Sequence, residues 1–394
     1  MRTFLSTACV ILACAFATSS AIGQGSAGTP TLSSETLAKL LEELRAKHDV
    51  PALAAGIFTK DGPVMIEVVG VRKRGTPRKA QKTGMFHLGS CTKPFTGWLA
   101  GWAVEQGHLR WDSTIAEVFP REARKWPDAH KKITLEQLLT HRSGIYGDLP
   151  KGFDHWPRQT RVQPQGHETR KQRLELVEAL GSLTLRSEPG SEEHYCNTNQ
   201  IVAAAMVEET VGKPWENLLE ELLFRPLGIE AVGQGPMGRP GRVDQPWQHT
   251  ETGEPMDPVP QADNPEVMGP AGRLHMSLES WGKFAVEILR GSEGRGKLLK
   301  PETYQALLRA PQGFTKGCWA TEGVDESGAP SVLSHSGSNN ANVAGARIYP
   351  REGFAVFVAT NQGATGVETP GSKVCHELMN RLIELWHARL AQGA

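Results

Sequence analysis

Leu37, Leu40, Leu41 and Leu44 recur at intervals of three and four, the period of a helix that buries one stripe. The period then changes: ALAAGIFTKDGPVMIEVVGV, from Ala52 to Val71, reads as two strands joined at Asp61-Gly62, a hairpin signal. The far end mirrors this opening, because VAGARIYPREGFAVFVAT (343 to 360) reads as a second hairpin and Val374, Leu378, Leu382, Leu385 and Leu390 mark a closing helix. Between the two ends the pattern is helical, with candidates at about 93 to 107, 134 to 141, 170 to 181, 198 to 211, 214 to 223 and 277 to 290. The stretch from Gly147 to Thr169 carries Pro150, Pro157 and Pro164 and reads as a long irregular loop on a cleft rim. These elements predict an α+β fold in which an antiparallel sheet, assembled from both chain ends (about 35 to 90 and 290 to 394), is flanked by the terminal helices. A helical subdomain (about 91 to 289) is inserted into it, and the interface between the two is the natural cleft.

Composition narrows the function classes. The 394 residues are 39% hydrophobic, enough for a large core, and 43 basic residues balance 43 acidic ones. With no long run of one sign, attraction to nucleic acid or anionic lipid has no support, and a small-molecule or peptide substrate is expected. The N-terminus has one arginine, an apolar run from Phe4 to Phe16 and then small residues up to Gly23, which reads as a signal peptide over 1 to 23 followed by one domain over 24 to 394. The run is too short to span a bilayer. Ile11-Leu12-Ala13 before Cys14 also resembles a lipid-attachment box, so export to the periplasm or medium, free or as a lipoprotein, is expected. Removing that segment leaves Cys91, Cys196, Cys318 and Cys375, too few for a disulfide scaffold in a chain this long; Cys91 adjoins Ser90 and Cys196 lies inside the tyrosine motif, where i+1 from an inward-facing residue points away, and free, mostly buried thiols are expected. No Cys-x-x-Cys or His-Glu-x-x-His occurs, so neither a metal nor another cofactor has a sequence signature.

The chemistry starts at FHLGSCTKPFTG (86 to 97), where Ser90 and Lys93 stand three apart. A serine hydroxyl is a weak nucleophile until a neighbour takes its proton, and positions i and i+3 share a helix face. Pro94 places this at a first turn, where unpaired N–H groups and the helix dipole favour a developing anion. The competing reading is a surface lysine near a capping serine, and Ser280-x-x-Lys283 shows that the spacing recurs. EEHYCNTNQ adds Tyr195-x-Asn197 in a segment before a helix starting near Asn199: in extended backbone a phenol that shuttles protons and an amide that grips a substrate carbonyl face one site. LSHSGSNN adds His335-x-Gly337 on a strand. His335 offers a positive or hydrogen-bonding group whose charge, with an unperturbed pKa of about 6.5, varies over the growth range; Gly337 lets substrate backbone approach, and the Ser338 N–H is aimed at an oxyanion. His87-Leu88-Gly89 repeats the last triplet and is set aside, and Ser280 is assigned to an ordinary helix start.

With these three motifs in this order, the sequence resembles the serine beta-lactamase-like family, in the branch of class C beta-lactamases, low-molecular-weight penicillin-binding D-alanyl-D-alanine carboxypeptidases and related esterases. Further landmarks carry the resemblance from about 35 to 390: LEQLLTHRSGI (135 to 145), PGSEEHYCNTN (189 to 199), FRPLGI (224 to 229) and GPAGRLHMSLESWGKF (269 to 284). The resemblance implies a beta-lactamase/transpeptidase-like fold and no cofactor. It implies Ser90 as acylated nucleophile, Lys93 as proton acceptor or orienter, Tyr195 as the group passing a proton to the leaving atom, and Asn197 as holder of the substrate amide. His335 would stabilise charge near Tyr195, and the Ser90 and Ser338 N–H groups would form the oxyanion hole. Three departures bear on substrate: His335 stands where many beta-lactamases have lysine, Cys196 where serine or alanine is common, and Arg273 where glycine is usual. The expected activity is therefore hydrolysis of amides or esters through an acyl-enzyme, with beta-lactam or D-Ala-D-Ala cleavage as the alternative. A non-catalytic peptidoglycan binder would be expected to lose Ser90, Lys93 or Tyr195, and all three are present.

Overall fold

The computed structural model describes residues 33–147, 149, 166–310 and 313–393. The segment expected to be a signal peptide, with Cys14, and most of the proline-bearing stretch after Gly147, lie outside the described residues. The helix Ser34–Lys47 is capped by the Ser33 hydroxyl, which accepts from Thr36 N–H, and buries Leu37, Leu40, Leu41 and Leu44. Strands follow in chain order: β1 (Ala52–Thr59), β2 (Gly62–Gly70) and β3 (Phe86–His87); then β4 (Val232–Gln234), β5 (Gln248–His249), β6 (Pro255–Met256) and β7 (Leu274–Met276); and finally β8 (Ala320–Glu322), β9 (Val332–Ser338), β10 (Val343–Tyr349) and β11 (Phe354–Thr360).

Both chain ends build one six-stranded antiparallel sheet in the order β2-β1-β11-β10-β9-β8. Strand β11 is central and buried along its whole length, and so carries no polar alternation. Leu53, Ala55 and Ile57 of β1 and Val356 and Val358 of β11 pack outward against the terminal helices Ser34–Lys47 and Pro370–Gly393, burying Leu41, Leu378 and Leu382. The opposite face, with Ala54, Phe58, Ala355 and Phe357, packs toward the helical part of the molecule. There Trp281 of the helix Leu278–Ser292 lies 4.1 Å, centroid to centroid, from Phe357. This helix belongs to the sequence-assigned helical subdomain, yet it lies on the sheet, whereas the helix Pro301–Leu308, from the other side of the assigned boundary, packs on the helix Lys93–Glu105. That helix was absent from the sequence reading; its proline sits in the first turn, where the missing N–H is harmless.

Two differences from the sequence reading shape the site. The helix expected over 134 to 141 stops at Leu139, because His141 takes a left-handed conformation (φ 57°). The helix expected from Asn199 begins at Asn197, with Cys196 extended before it (φ −152°). A small three-stranded sheet, β3-β7-β4, ties the segment before Ser90 to the segment around Arg273. No helix among the described residues is long and apolar enough to cross a membrane.

Candidate active site

Ser90 lies in a 3₁₀ turn, Gly89–Thr92, that runs into the helix Lys93–Glu105 with Pro94 in its first turn. Gly89 needs its freedom: its φ is 50°, and a Cβ there would meet Ser338 N at 2.4 Å. Lys93 is completely buried, and its Nζ reaches three acceptors: Ser90 Oγ at 2.9 Å, Asn197 Oδ1 at 2.7 Å and the Ala271 carbonyl at 2.8 Å. An ammonium has a proton for each. Two of the acceptors can only accept, so they fix two protons; if the third leaves, the lone pair is aimed at the Ser90 hydroxyl. A buried amine oriented in this way can take the serine proton.

Tyr195 is half-buried, its ring 4.8 Å from Lys93 Nζ, centroid to atom, and stacked on His141 at 4.4 Å. His141 and Phe314, whose rings meet at 4.8 Å, form an aromatic wall that the sequence reading missed. His141 Nδ1 accepts from the Cys196 N–H at 3.1 Å, so its proton is on Nε2. Burial, then the charge of Lys93, hold its pKa well below the ordinary value. His141 lay in the LEQLLTHRSGI landmark, where it carried no chemical signal of its own. The neighbouring Ser143 hydroxyl donates to Asn199 Oδ1 at 2.6 Å, which turns that amide's NH₂ toward the His141 ring.

His335 stands on β9 opposite Ala346, its ring 6.4 Å from that of Tyr195. The structure decides between the two forms the sequence left open. Burial, with the nearby Lys93 charge, pushes the His335 pKa down to about 3, so the residue is neutral across the growth range and the expected titration near pH 6.5 does not occur. Its Nδ1 lies 2.7 Å from the Ser336 carbonyl, which can only accept, so Nδ1 carries the proton and Nε2 presents a lone pair. That buried Nε2 has no hydrogen-bond partner among the described residues. Gly337 is hemmed in by the protein itself: a Cβ there would meet its own backbone, at 2.0 Å from Leu88 O and 2.6 Å from Ser90 N. The glycine lets β9 press against the serine turn, bringing Ser338 beside Gly89.

The second Ser-x-x-Lys is remote in role. Ser280 N–H is capped by Ser277 Oγ, and Lys283 Nζ donates to Gly228 O. The four cysteines among the described residues are buried and form no disulfide with one another; Cys91 Sγ donates to the His335 carbonyl at 3.3 Å, and burial raises its pKa and pushes those of Cys318 and Cys375 up to about 12. Arg273, which stands in place of the usual glycine, is buried with its Nε 3.7 Å from Asp263 Oδ2.

A serine hydroxyl held against a buried lysine, at the seam between an antiparallel sheet and a helical layer, defines a serine hydrolase. The chain belongs to the beta-lactamase family, whose model matches residues 37–371. It is 26% identical over 338 residues to penicillin-binding protein 4 of Amycolatopsis lactamdurans, covering 82% of this chain and 84% of that protein. It is 25% identical over 255 residues to the unguisins hydrolase ungD of Aspergillus violaceofuscus, covering 61% of this chain but 42% of that protein. Among solved structures, the D-alanine carboxypeptidase AmpC from Burkholderia cenocepacia superposes with a TM-score of 0.65 at 16% identity, over 88% of this chain and 98% of that one, which speaks for the fold alone.

Proposed function

We propose that residues 24–394 form one exported catalytic domain that cleaves uncharged esters or amides through an acyl-enzyme on Ser90. The observation that carries the reading is the three-point hold on Lys93, which directs its lone pair at Ser90 Oγ once a proton is lost. Lys93 accepts the serine proton as Oγ attacks the substrate carbonyl carbon, and the negative oxygen is met by the N–H groups of Ser90 and Ser338. Collapse of this intermediate breaks the bond to the leaving group, which takes a proton through Tyr195. Water then attacks the acyl-enzyme, releasing the acid and restoring Ser90. Asn197 orients Lys93 with its Oδ1 and contacts the substrate amide with its NH₂. The neutral His335 accepts a hydrogen bond from Tyr195 or from substrate, and offers no cation to a carboxylate. Export rests on the order of charged, apolar and small residues before Gln24.

A serine-reactive fluorophosphonate should add mass to the peptide carrying Ser90, and Ser90→Ala should abolish the adduct. A label on Ser280 would overturn the assignment. The intact mass of the secreted protein should correspond to a chain beginning near Gln24, or to one lipidated at Cys14.

The similarity to a penicillin-binding protein favours a second reading, cleavage of cell-wall D-Ala-D-Ala peptides or beta-lactams. Both substrates carry a carboxylate, which His335 as a lone-pair acceptor does not attract. Efficient cephalosporin hydrolysis at pH 8 would reverse this ranking.

A further inference from the structure

The triplet His87-Leu88-Gly89 lies directly before Ser90, and its histidine is fully buried on β3. His87 Nδ1 accepts the backbone N–H of Gly89 at 3.0 Å. An amide N–H can only donate, so the imidazole proton is on Nε2, which lies 3.0 Å from Asp263 Oδ2. The other oxygen of Asp263 accepts from Asn339 Nδ2 at 2.8 Å. Asn339 follows Ser338 as Gly89 precedes Ser90. One buried carboxylate therefore reaches, through one side chain on each side, the two backbone segments whose N–H groups serve as the oxyanion hole in the proposed reaction.

We propose that Asp263 is a positioning residue for that hole, setting the separation of the Ser90 and Ser338 amides through His87 and Asn339. The inference rests on the reading of Ser90 as nucleophile. A carboxylate suits the position because both neighbours present N–H groups, and an aspartate has an acceptor oxygen for each. An asparagine has only one, so either His87 must change tautomer and lose Gly89, or Asn339 loses its bond to residue 263 and is held by Gln248, Ala341 and Asn342 alone, without its link to the serine side. Burial alone would raise the Asp263 pKa, but the interactions with His87, the charge of Arg273 and the Asn339 amide hold it well below the ordinary carboxylate range. Arg273 thus gains a role as counter-charge. Positioning matters because oxyanion donors act within a few tenths of an ångström, and a Cβ on Gly89 or Gly337 would already collide with the opposite backbone.

The test compares wild type, Asp263→Asn, His87→Leu and His87→Gln on a neutral p-nitrophenyl ester, with a boronic acid as tetrahedral mimic and the fluorophosphonate labelling rate at Ser90. Loss of one oxyanion donor costs about 100- to 1000-fold, so misplacing one in Asp263→Asn should lower kcat by roughly 10- to 100-fold. KM should stay within about threefold, and boronate affinity should weaken by the same factor as kcat. His87→Gln keeps an acceptor for Gly89 and a donor for Asp263, and should run at least about tenfold faster than His87→Leu. A merely structural carboxylate would lower the melting temperature without this parallel between kcat and boronate binding. Wild-type kcat and labelling in Asp263→Asn, or a kcat loss with unchanged boronate affinity, would overturn the proposal alone. If Asp263→Asn does not fold, equal rates for His87→Gln and His87→Leu overturn it. A wild type that never labels at Ser90 overturns the nucleophile reading and takes this proposal with it.

Discussion

The two faces of the main sheet are both buried, yet they are sealed by different means. On the outer face Leu41, Leu378 and Leu382 lie on Leu53, Ile57, Val356 and Val358, an apolar layer in which no group needs a particular partner. On the inner side, where β9 meets the serine turn, the buried groups include Lys93, Asn197, His87, Asp263, His335 and Asn339. A buried polar group without a partner costs about 1–3 kcal/mol, so this side tolerates only a specific arrangement. The outer layer contributes stability without specifying chemistry, and the inner band holds the groups to which the proposed reaction is assigned.

The largest effect expected to separate the two is on rate. Ser90→Ala should lower kcat on a neutral ester by about 10⁴-fold or more, and Lys93→Met by roughly 10²–10⁴-fold, with melting temperature changed little by the first. Steady-state kinetics beside thermal melts on the same samples would show it, and an unchanged kcat in Lys93→Met would break the division. Next, Leu41→Ala or Leu378→Ala on the outer face should cost about 2–5 kcal/mol in denaturant unfolding while leaving kcat/KM of the folded protein within about twofold. A large rate loss in either would show that the outer layer reaches the site.

Acid should act through the buried histidines. The pKa values of His335, pushed to about 3, and of His249 and His275, pushed to about 4, lie below the unfolded value of about 6.5, in each case first through burial. Between these limits the unfolded chain binds protons that the folded chain does not. Stability is therefore complete above about pH 6.5 and falls on acidification, by up to about 1.4 kcal/mol per pH unit for each histidine. Urea midpoints from pH 8 to pH 4 should decline, less steeply in His275→Gln, and a flat profile would contradict the burial of these rings. The smallest expected effect concerns substrate choice: His335→Lys should raise kcat/KM on a cephalosporin several-fold and lower it a few-fold on a neutral ester, read from parallel pH profiles. The same direction on both substrates would show that charge at this position does not sort them.

The legible parts and the illegible ones divide along the same line. The two hairpins, the terminal helices and the helix Leu278–Ser292 follow from periodicity, because a half-buried element must repeat its apolar positions at its own pitch. Ser90 and Lys93 are close in space because three residues along a helical turn bring them there. The hydrogen bond from Lys93 to Asn197 was not foreseen, since the i,i+2 spacing in the sequence relates Asn197 to Tyr195 and says nothing of a lysine 104 residues away. His141, Phe314 and Asp263 gave no sequence signal, since an isolated histidine or aspartate looks alike whether it is solvated or buried, and His87 stood in a His-x-Gly triplet that the motif order set aside. At Gly337 a Cβ would meet the backbone of the serine turn, a contact between segments far apart in the chain that no local pattern announces.

By itself, then, the chain specified most of its elements and the serine-lysine pair, which rest on a repeated apolar pitch or on residues near in sequence, and its strand patterns at both ends pointed to one shared sheet. Tertiary structure alone decided that His335 is neutral with its Nε2 buried, that Asn197 and the Ala271 carbonyl hold Lys93 against Ser90, and that Asp263 joins the residues flanking Ser90 and Ser338. Protonation state and hydrogen-bond direction depend on burial and on partners from distant segments, and these exist only once the chain has folded.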